Sequence, residues 1–448
     1  MLSKKSLLMF AIAIMGTSGR SMAQGQDSLV PEQSEELAMS LEQLFRTAEE
    51  HNTSIKCFQS AIEEAEAGVK AAKAEQLPDA TASLSFSYLG GGWISDRDFK
   101  NAVGVHIPHY GSNLAVQASW AVYAGGAIRS GIRLSQLTSD MAQANAHENR
   151  QRVRMLLTGH YLQLHNLKNQ ERVFDENIAL TETLIELTKK RQSEGAALKN
   201  DITRYELQME QLKLGRTQVQ NQAKITNHQL ITALGIREGI TILPTEVFEE
   251  GTDEIGAESI WQQAATYNSP SLKQAQLGIE MSKQKERLEK SACRPTIAII
   301  AEEHLDGPIT VEIPNLNKNL NYCFVGVGIK YRIGSLYKNS NRIRQARIAT
   351  ETARHQQQAA LEGVENAVQA VFTDYQTTLT ELETSKKSVE LAQQNYSVIS
   401  NRYQNGLALV TDMVDAANQR LDAQLALVNS RIKVLAGYYN LKYVTGTL

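Results

Sequence analysis

A chain of 448 residues with a net charge of −3 offers neither the basic surface that nucleic acid demands nor an acidic interaction tail. Only 8 prolines interrupt a composition rich in Ala, Gln, Leu, Glu, Lys and Asn, which favours long helices over a conventional compact core. The 3 cysteines, Cys57, Cys293 and Cys323, are too few and too scattered for a disulfide framework.

Residues 1–23 read as an export leader. Lys4 and Lys5 precede a short apolar run, and Ser21-Met22-Ala23 supplies a small-residue cleavage site with no cysteine for lipid attachment. The apolar run is too short to span a bilayer as a helix. No later segment reaches 18 consecutive apolar residues, so the exported chain is expected to be either soluble or inserted as strands.

A first structural repeat is expected over 24–235. It opens with a helix over 40–76, stopped by Pro78. A strand pair follows at 81–93 and 113–124. In the first strand Ala82, Leu84, Phe86 and Tyr88 alternate with Thr81, Ser83, Ser85 and Ser87; in the second Leu114, Val116, Ala118, Trp120 and Val122 form one face. A proline-free run then predicts a helix over 127–194, roughly 100 Å long at 1.5 Å per residue. The chain reverses at 192–201 and returns as a second helix.

Residues 236–256 are a linker, and a second repeat occupies 257–448. It has a helix over 257–293 stopped by Pro295, a strand pair at 296–305 and 322–333, and a helical hairpin with its tip at 403–412. The strand at 296–305 alternates poorly. The repeat is written in the punctuation: Arg191, Gly195, Leu198, Asp201 and Gly235 recur 211 residues later as Arg402, Gly406, Leu409, Asp412 and Gly446.

Apolar steps of three and four mark the return helices: Ile202, Tyr205, Met209 and Leu212 in one, Met413, Ala416, Ala423 and Leu427 in the other. Arg216 and Arg420 interrupt these seams. The last helix carries a second stripe, including Val414, Leu421, Leu425 and Ile432, so it has two neighbours, as in a ring of helices. Strands of about ten alternating residues suit a membrane barrel, yet four strands cannot close one, since the smallest have about eight. Several chains must therefore share it.

In this order of elements, in the repeated G-x-x-x-x-x-D turns, and in the stretches at 234–244 and 268–298, the chain resembles the TolC-like outer-membrane efflux proteins. The resemblance implies a mainly helical fold with a β part. A homotrimer would build a 12-stranded barrel in outer-membrane lipid and a long periplasmic α-barrel, with a mixed belt near 24–40 and 236–258. It implies an exit duct fed by an inner-membrane pump through a periplasmic adaptor (membrane fusion) protein, and no enzyme. Asp412 and Asp415 would line the gate. Tyr403 and Asp201 match a tip latch whose arginine position falls here on Ala408, which cannot bond. The turns Gly195, Ala196, Ala197, Leu198 and Gly406, Leu407, Ala408, Leu409 would dock the adaptor.

No catalytic constellation, phosphate-binding loop or cofactor motif stands out, and no nucleic-acid partner or metal centre is expected. His106 and His109 lack the further ligands that a metal needs. The rival reading is a periplasmic coiled-coil adaptor or tether whose strands belong to a soluble domain.

Overall fold

The computed structural model describes residues 35–245, 256–309 and 316–448. The expected leader and residues 246–255 of the expected 236–256 linker lie outside them. In chain order the elements are β1 (Glu35–Met39), α1 (Leu41–His51), α2 (Thr53–Ala74), β2 (Asp79–Tyr88), β3 (Gly92–Ile94), β4 (Val103–Val105), β5 (Tyr110–Ala124), α3 (Ala127–Ser193) and α4 (Lys199–Leu234). Then come β6 (Ile240–Pro244), α5 (Glu258–Asn268), α6 (Pro270–Ser291), β7 (Thr296–Gly307), β8 (Leu320–Lys330), α7 (Ser335–Lys338), α8 (Ser340–Gln404) and α9 (Val410–Val444).

The sheet follows from the alternation. Its order is β2-β5-β7-β8, antiparallel throughout. The register puts Leu84 beside Leu114, Leu114 beside Leu305, and Ile299 beside Val327, so one face is apolar, apart from Glu303 and, at its end, Asn321, and uncovered: Val325 is 77% exposed and Ile329 72%. The opposite face carries Ser83, Ser85, Asn113, Gln117, Glu302, His304 and Asp306. A soluble domain buries such an apolar face, which counts against the tether reading. Among the described residues no helix is long and apolar enough to cross a membrane.

The poorly alternating segment is a central 12-residue strand, β7, paired on both sides. Its polar face accepts Ala298 and Ile300 because β8 opposes them with Gly328 and Gly326. A Cβ on Gly328 would already stand 3.4 Å from Ile300 Cδ1. The strand expected over 81–93 ends earlier, at Tyr88, and the small β3–β4 hairpin tops the connection to β5.

The helices expected over 40–76 and 257–293 are each broken. Asn52 ends α1 and caps α2, its Oδ1 accepting from Ile55 N–H at 3.0 Å. Ser269 stands between α5 and α6, with Pro270 in the first turn of α6, where a missing N–H costs nothing. Each break receives the end of a return helix. Asn52 Nδ2 donates to Ala233 O at 2.6 Å, and Gly235 turns away at φ 70° against His51. Gly446, at φ 74°, packs likewise on Asn268. So α4 abuts α2 end to end, and α9 abuts α6.

Apolar side chains fix this middle level. Leu44, Leu157, Tyr161, Leu230, Leu234 and Ile242 form one buried cluster. The parallel β1–β6 pair is tied to it: Tyr161 Oη donates to Met39 O at 3.1 Å, and Asn227 bonds both Ile240 O and Ile242 N–H. The arginines that interrupt the seams join helices instead. Arg216 pairs with Asp175 at 2.7 Å, while Arg420 donates to Asn177 Oδ1 at 2.9 Å and lies 4.2 Å over the Tyr396 ring.

At Gly235 and Gly446 a Cβ would meet a carbonyl oxygen at 2.7 Å and 2.5 Å. Either Gly→Ala change should cost at least about 1–3 kcal/mol, because strained φ adds to the clash. The check is the thermal midpoint of the detergent-solubilised protein. Gly278→Ala, in open helical space, is the control and should be neutral or stabilising. Equal midpoints for all three variants would refute the end-to-end junctions.

Candidate functional site

The two hairpin tips are built alike from their repeated residues. At the first, Gly195 takes φ 78°, Ala196 N–H bonds Arg191 O at 2.7 Å and Gly195 N–H bonds Gln192 O at 3.0 Å. At the second, Gly406 takes φ 74°, Leu407 N–H bonds Arg402 O at 2.8 Å and Gly406 N–H bonds Tyr403 O at 3.1 Å. This left-handed closure satisfies the last carbonyls of α3 and α8. A residue with a Cβ is strained there, which is why both turns carry glycine.

The aspartates then start the return helices. Asp201 Oδ2 accepts from Leu198 N–H at 2.9 Å, and Asp412 Oδ2 from Leu409 N–H at 3.0 Å. Each carboxylate sits in the first turn, where the helix dipole favours negative charge. Asp415, one turn on, accepts from Gln419 Nε2 at 2.9 Å. Asp412, Asp415 and Gln419 are exposed on one face of α9, and so is Asp422, which the reading of the sequence overlooked. The i+7 spacing from Asp415 is the signal that marks it.

Leu198, Leu407 and Leu409 are each about 70% exposed, and no atom lies within 4 Å of a Cβ added to Gly195 or Gly406. Ala408 instead leans on the buried cluster of Leu184, Tyr205, Tyr396, Tyr403 and Met413. The eight turn residues thus form an uncovered apolar cap, apart from the half-buried Ala197 and Ala408.

Tyr403 is buried, and no hydrogen bond joins it to Asp201, whose Oδ2 is engaged in capping. Its partner is Arg191. The guanidinium lies 5.1 Å over the Tyr403 ring, and Nη1 donates to Tyr403 O at 3.1 Å. This contact clamps the end of α3 to the end of α8. Beside it, burial above all, and then the neighbouring Tyr403 phenol, holds the Tyr205 hydroxyl protonated far above the usual phenol range. Burial also raises Tyr396, against the pull of Arg420.

The His106 and His109 rings stand 6.3 Å apart, and His109 Nδ1–H donates to Leu89 O. Among the described residues no group of three or more His, Cys, Asp or Glu is placed to hold a metal ion. The three cysteines are free thiols.

Residues 44–236 and 261–447 match the family described as outer membrane efflux protein. The chain belongs to that family. This efflux protein is an outer-membrane channel with a periplasmic helical extension, of the class that serves tripartite systems. Its fold is similar to that of the outer-membrane channel OprN, at TM-score 0.76 and 17% identity over 91% of this chain and 90% of the other. It is similar to VceC from Vibrio cholerae, at 0.73 and 16% over 91% and 96%. It is also similar to the Campylobacter jejuni CmeC outer membrane channel, at 0.75 and 14% over 91% and 85%. A sequence search of curated proteins finds no match.

In this efflux protein Asp201→Ala and Asp412→Ala should each fray a return helix by about 1 kcal/mol, the worth of a cap. Amide exchange at 198–202 and 409–413 should then speed up about fivefold in hydrogen–deuterium mass spectrometry. Unchanged protection in both variants would show that the carboxylates do not cap.

Proposed function

We propose that three copies of this chain assemble into a continuous duct, and one observation carries the reading. Among the described residues the apolar face of the β2-β5-β7-β8 sheet is uncovered, and β2 and β8 have no neighbour on their outer edges. Backbone groups left unpaired in hydrocarbon cost several kcal/mol each, so a lipid-facing sheet with two open edges is not a stable end state. Pairing β8 of one copy with β2 of the next removes both edges. Three copies give 12 strands, enough for a water-filled lumen lined by Ser83, Asn113, Gln117 and Glu302, whereas two give a barrel filled by side chains.

The tips face the pump side of the periplasm. The exposed leucines at 198, 407 and 409, with Gly195, Ala196, Ala197, Gly406 and Ala408, form the docking surface for a periplasmic adaptor protein, which couples the duct to an inner-membrane pump. Apolar side chains held out on a rigid turn are a ready anchor for a partner. Asp412 and Asp415, brought together from three copies, form rings of negative charge that admit cations preferentially and repel one another on closure. At rest the tip is held by the Arg191–Tyr403 clamp, which takes the part for which Ala408 has no side chain.

Purified protein should run as a trimer in detergent, and a monomer that needs no detergent would end this reading. In planar bilayers Arg191→Ala should raise the resting conductance several-fold, with Arg191→Lys partly restoring closure. Wild-type conductance in Arg191→Ala would remove the clamp from the mechanism. Asp412→Asn with Asp415→Asn should lower the cation preference measured by reversal potential, and an unchanged potential would exclude them from the gate. Leu407→Asp should abolish export while leaving the trimer intact; normal export would count against docking at the turns.

A further inference from the structure

Where the sheet passes into the helices, a cavity of about 700 Å³ opens between the start of α3 and the end of α6. Five cations line it: Arg129, Arg133, Arg287, Lys290 and Arg294. Two are matched by carboxylates, Arg133 with Glu280 at 3.5 Å and Lys290 with Glu286 at 2.7 Å. Arg129, Arg287 and Arg294 have no carboxylate within ion-pair reach among the described residues. Arg294 gives one N–H to Gly125 O at 3.2 Å, and Arg129 and Arg287 have no hydrogen-bond or ion-pair partner among the described residues.

A second feature points the same way. The cavity is also lined by Gly125 and Gly126, and α3 begins at Gly126 with no side chain capping its first turn. The free amides and the positive end of this 67-residue helix therefore look onto the same space as the three unmatched arginines. Gly125, at φ 64°, permits the close approach: a Cβ there would lie 2.6 Å from Ser291 O. The strand-to-helix turn is thus tight enough to bring the arginines of both helices together.

The depth and side of the cavity identify its occupant. Trp120 belongs to the lipid-facing side of β5, and its indole N–H donates to the carbonyl of Gln76, which lines the cavity. Past the register shift between Ala121 and Tyr123, Tyr123 pairs with Ile297, which pairs with Ile329 on the apolar face. Trp120 and Tyr123 stand on this face at the helical end of β5, where aromatic side chains mark the edge of the hydrocarbon. The cavity lies just beyond it, on the helical side, at the depth of lipid head groups.

We infer that this cavity binds the head-group phosphate of an anionic phospholipid in the periplasmic leaflet of the outer membrane. The inference rests on the sheet being the membrane-spanning part. Three unmatched cations and an open helix N-terminus favour a head group with net negative charge, such as phosphatidylglycerol. They disfavour phosphatidylethanolamine, whose ammonium meets the same positive field. The bound lipid anchors the junction at which a flexible barrel meets rigid helices.

Native mass spectrometry of the assembled, detergent-solubilised protein tests this, with dioleoyl-phosphatidylglycerol and dioleoyl-phosphatidylethanolamine as probes. The wild type should prefer the glycerol lipid about tenfold, and R129Q/R287Q should lose that preference, each cation near a surface contributing substantially. Neither arginine has a partner among the described residues, so assembly should be unaffected. Gln284→Glu, which keeps every arginine and adds a negative charge to the cavity lining, should lose the preference as well. Retained preference in both variants, or an equal loss in the remote control Lys386→Gln with Lys387→Gln, would overturn the site. Displacement of the lipid by equimolar inorganic phosphate would assign the cavity to a free anion and overturn the lipid. Altered anion permeability of R129Q/R287Q in bilayers of phosphatidylethanolamine alone would place the cavity in the lumen, with the same consequence.

Discussion

Hydrocarbon offers no hydrogen bonds, so every peptide group of a lipid-facing strand must be paired by another strand. Much of the molecule above the belt follows from this requirement. Each strand of the sheet runs directly into a wall helix: α2 into β2, β5 into α3, α6 into β7, and β8, through α7, into α8. The neighbours α2–α3, α3–α6 and α6–α8 repeat the strand order, so the helical wall inherits its topology from the sheet. A wall one helix thick has two solvated or partner-facing sides. That explains why α3 and α8 bury apolar residues such as Leu157 and Phe372 alongside polar ones such as Asn149 and Thr378.

Holding the wall at constant width over its length is then a question of helix number. Where α2 and α6 begin, α4 and α9 finish, and the breaks at Asn52 and Ser269 receive their ends. The internal repeat is the chemical record of this arrangement. A capping residue must end one helix and begin the next, and a glycine in left-handed conformation must turn the incoming helix aside. The buried cluster around Leu44 and Tyr161, with the β1–β6 pair over it, belts the level at which the splice is made.

The strand alternation, the lengths of α3 and α8, and the glycine turns at both tips were legible in the sequence, because each is a local rule of period or backbone conformation. The breaks at Asn52 and Ser269 were not. Asn52 reads as an ordinary polar helix residue until Ala233 and Gly235, almost two hundred residues away, arrive beside it. Strand β7 was obscured for a related reason: Ile300 looks misplaced until Gly326 and Gly328 are seen across from it. At the tip, the spacing from Arg to Gly to Asp was visible, but the division of labour was not. Asp201 and Asp412 cap helices. Arg191, conspicuous only as a repeated letter, crosses to Tyr403, and the buried Tyr205 depends on a fold the sequence does not spell out.

The two ends of the helical wall are held by different physics. At the belt, large aliphatic side chains are buried together, and separating them exposes apolar surface at about 25 cal/mol per Å². Toward the tip, much of what joins one hairpin to the other is polar: Arg191 on Tyr403, Arg420 with Asn177 and Tyr396, and Gln208 Nε2 to Asn418 Oδ1 at 3.2 Å. Water replaces such contacts at a net cost of only about 1 kcal/mol each. The apolar tip cluster spans both hairpins, yet Tyr205 and Tyr403 bring neighbouring phenol hydroxyls into it. If three copies form the proposed duct, it yields first at the hairpin tips, with the belt as the fixed ring about which the hairpins swing. The exposed leucines stand at that end, so the adaptor proposed to seat on them would act where the least free energy separates closed from open.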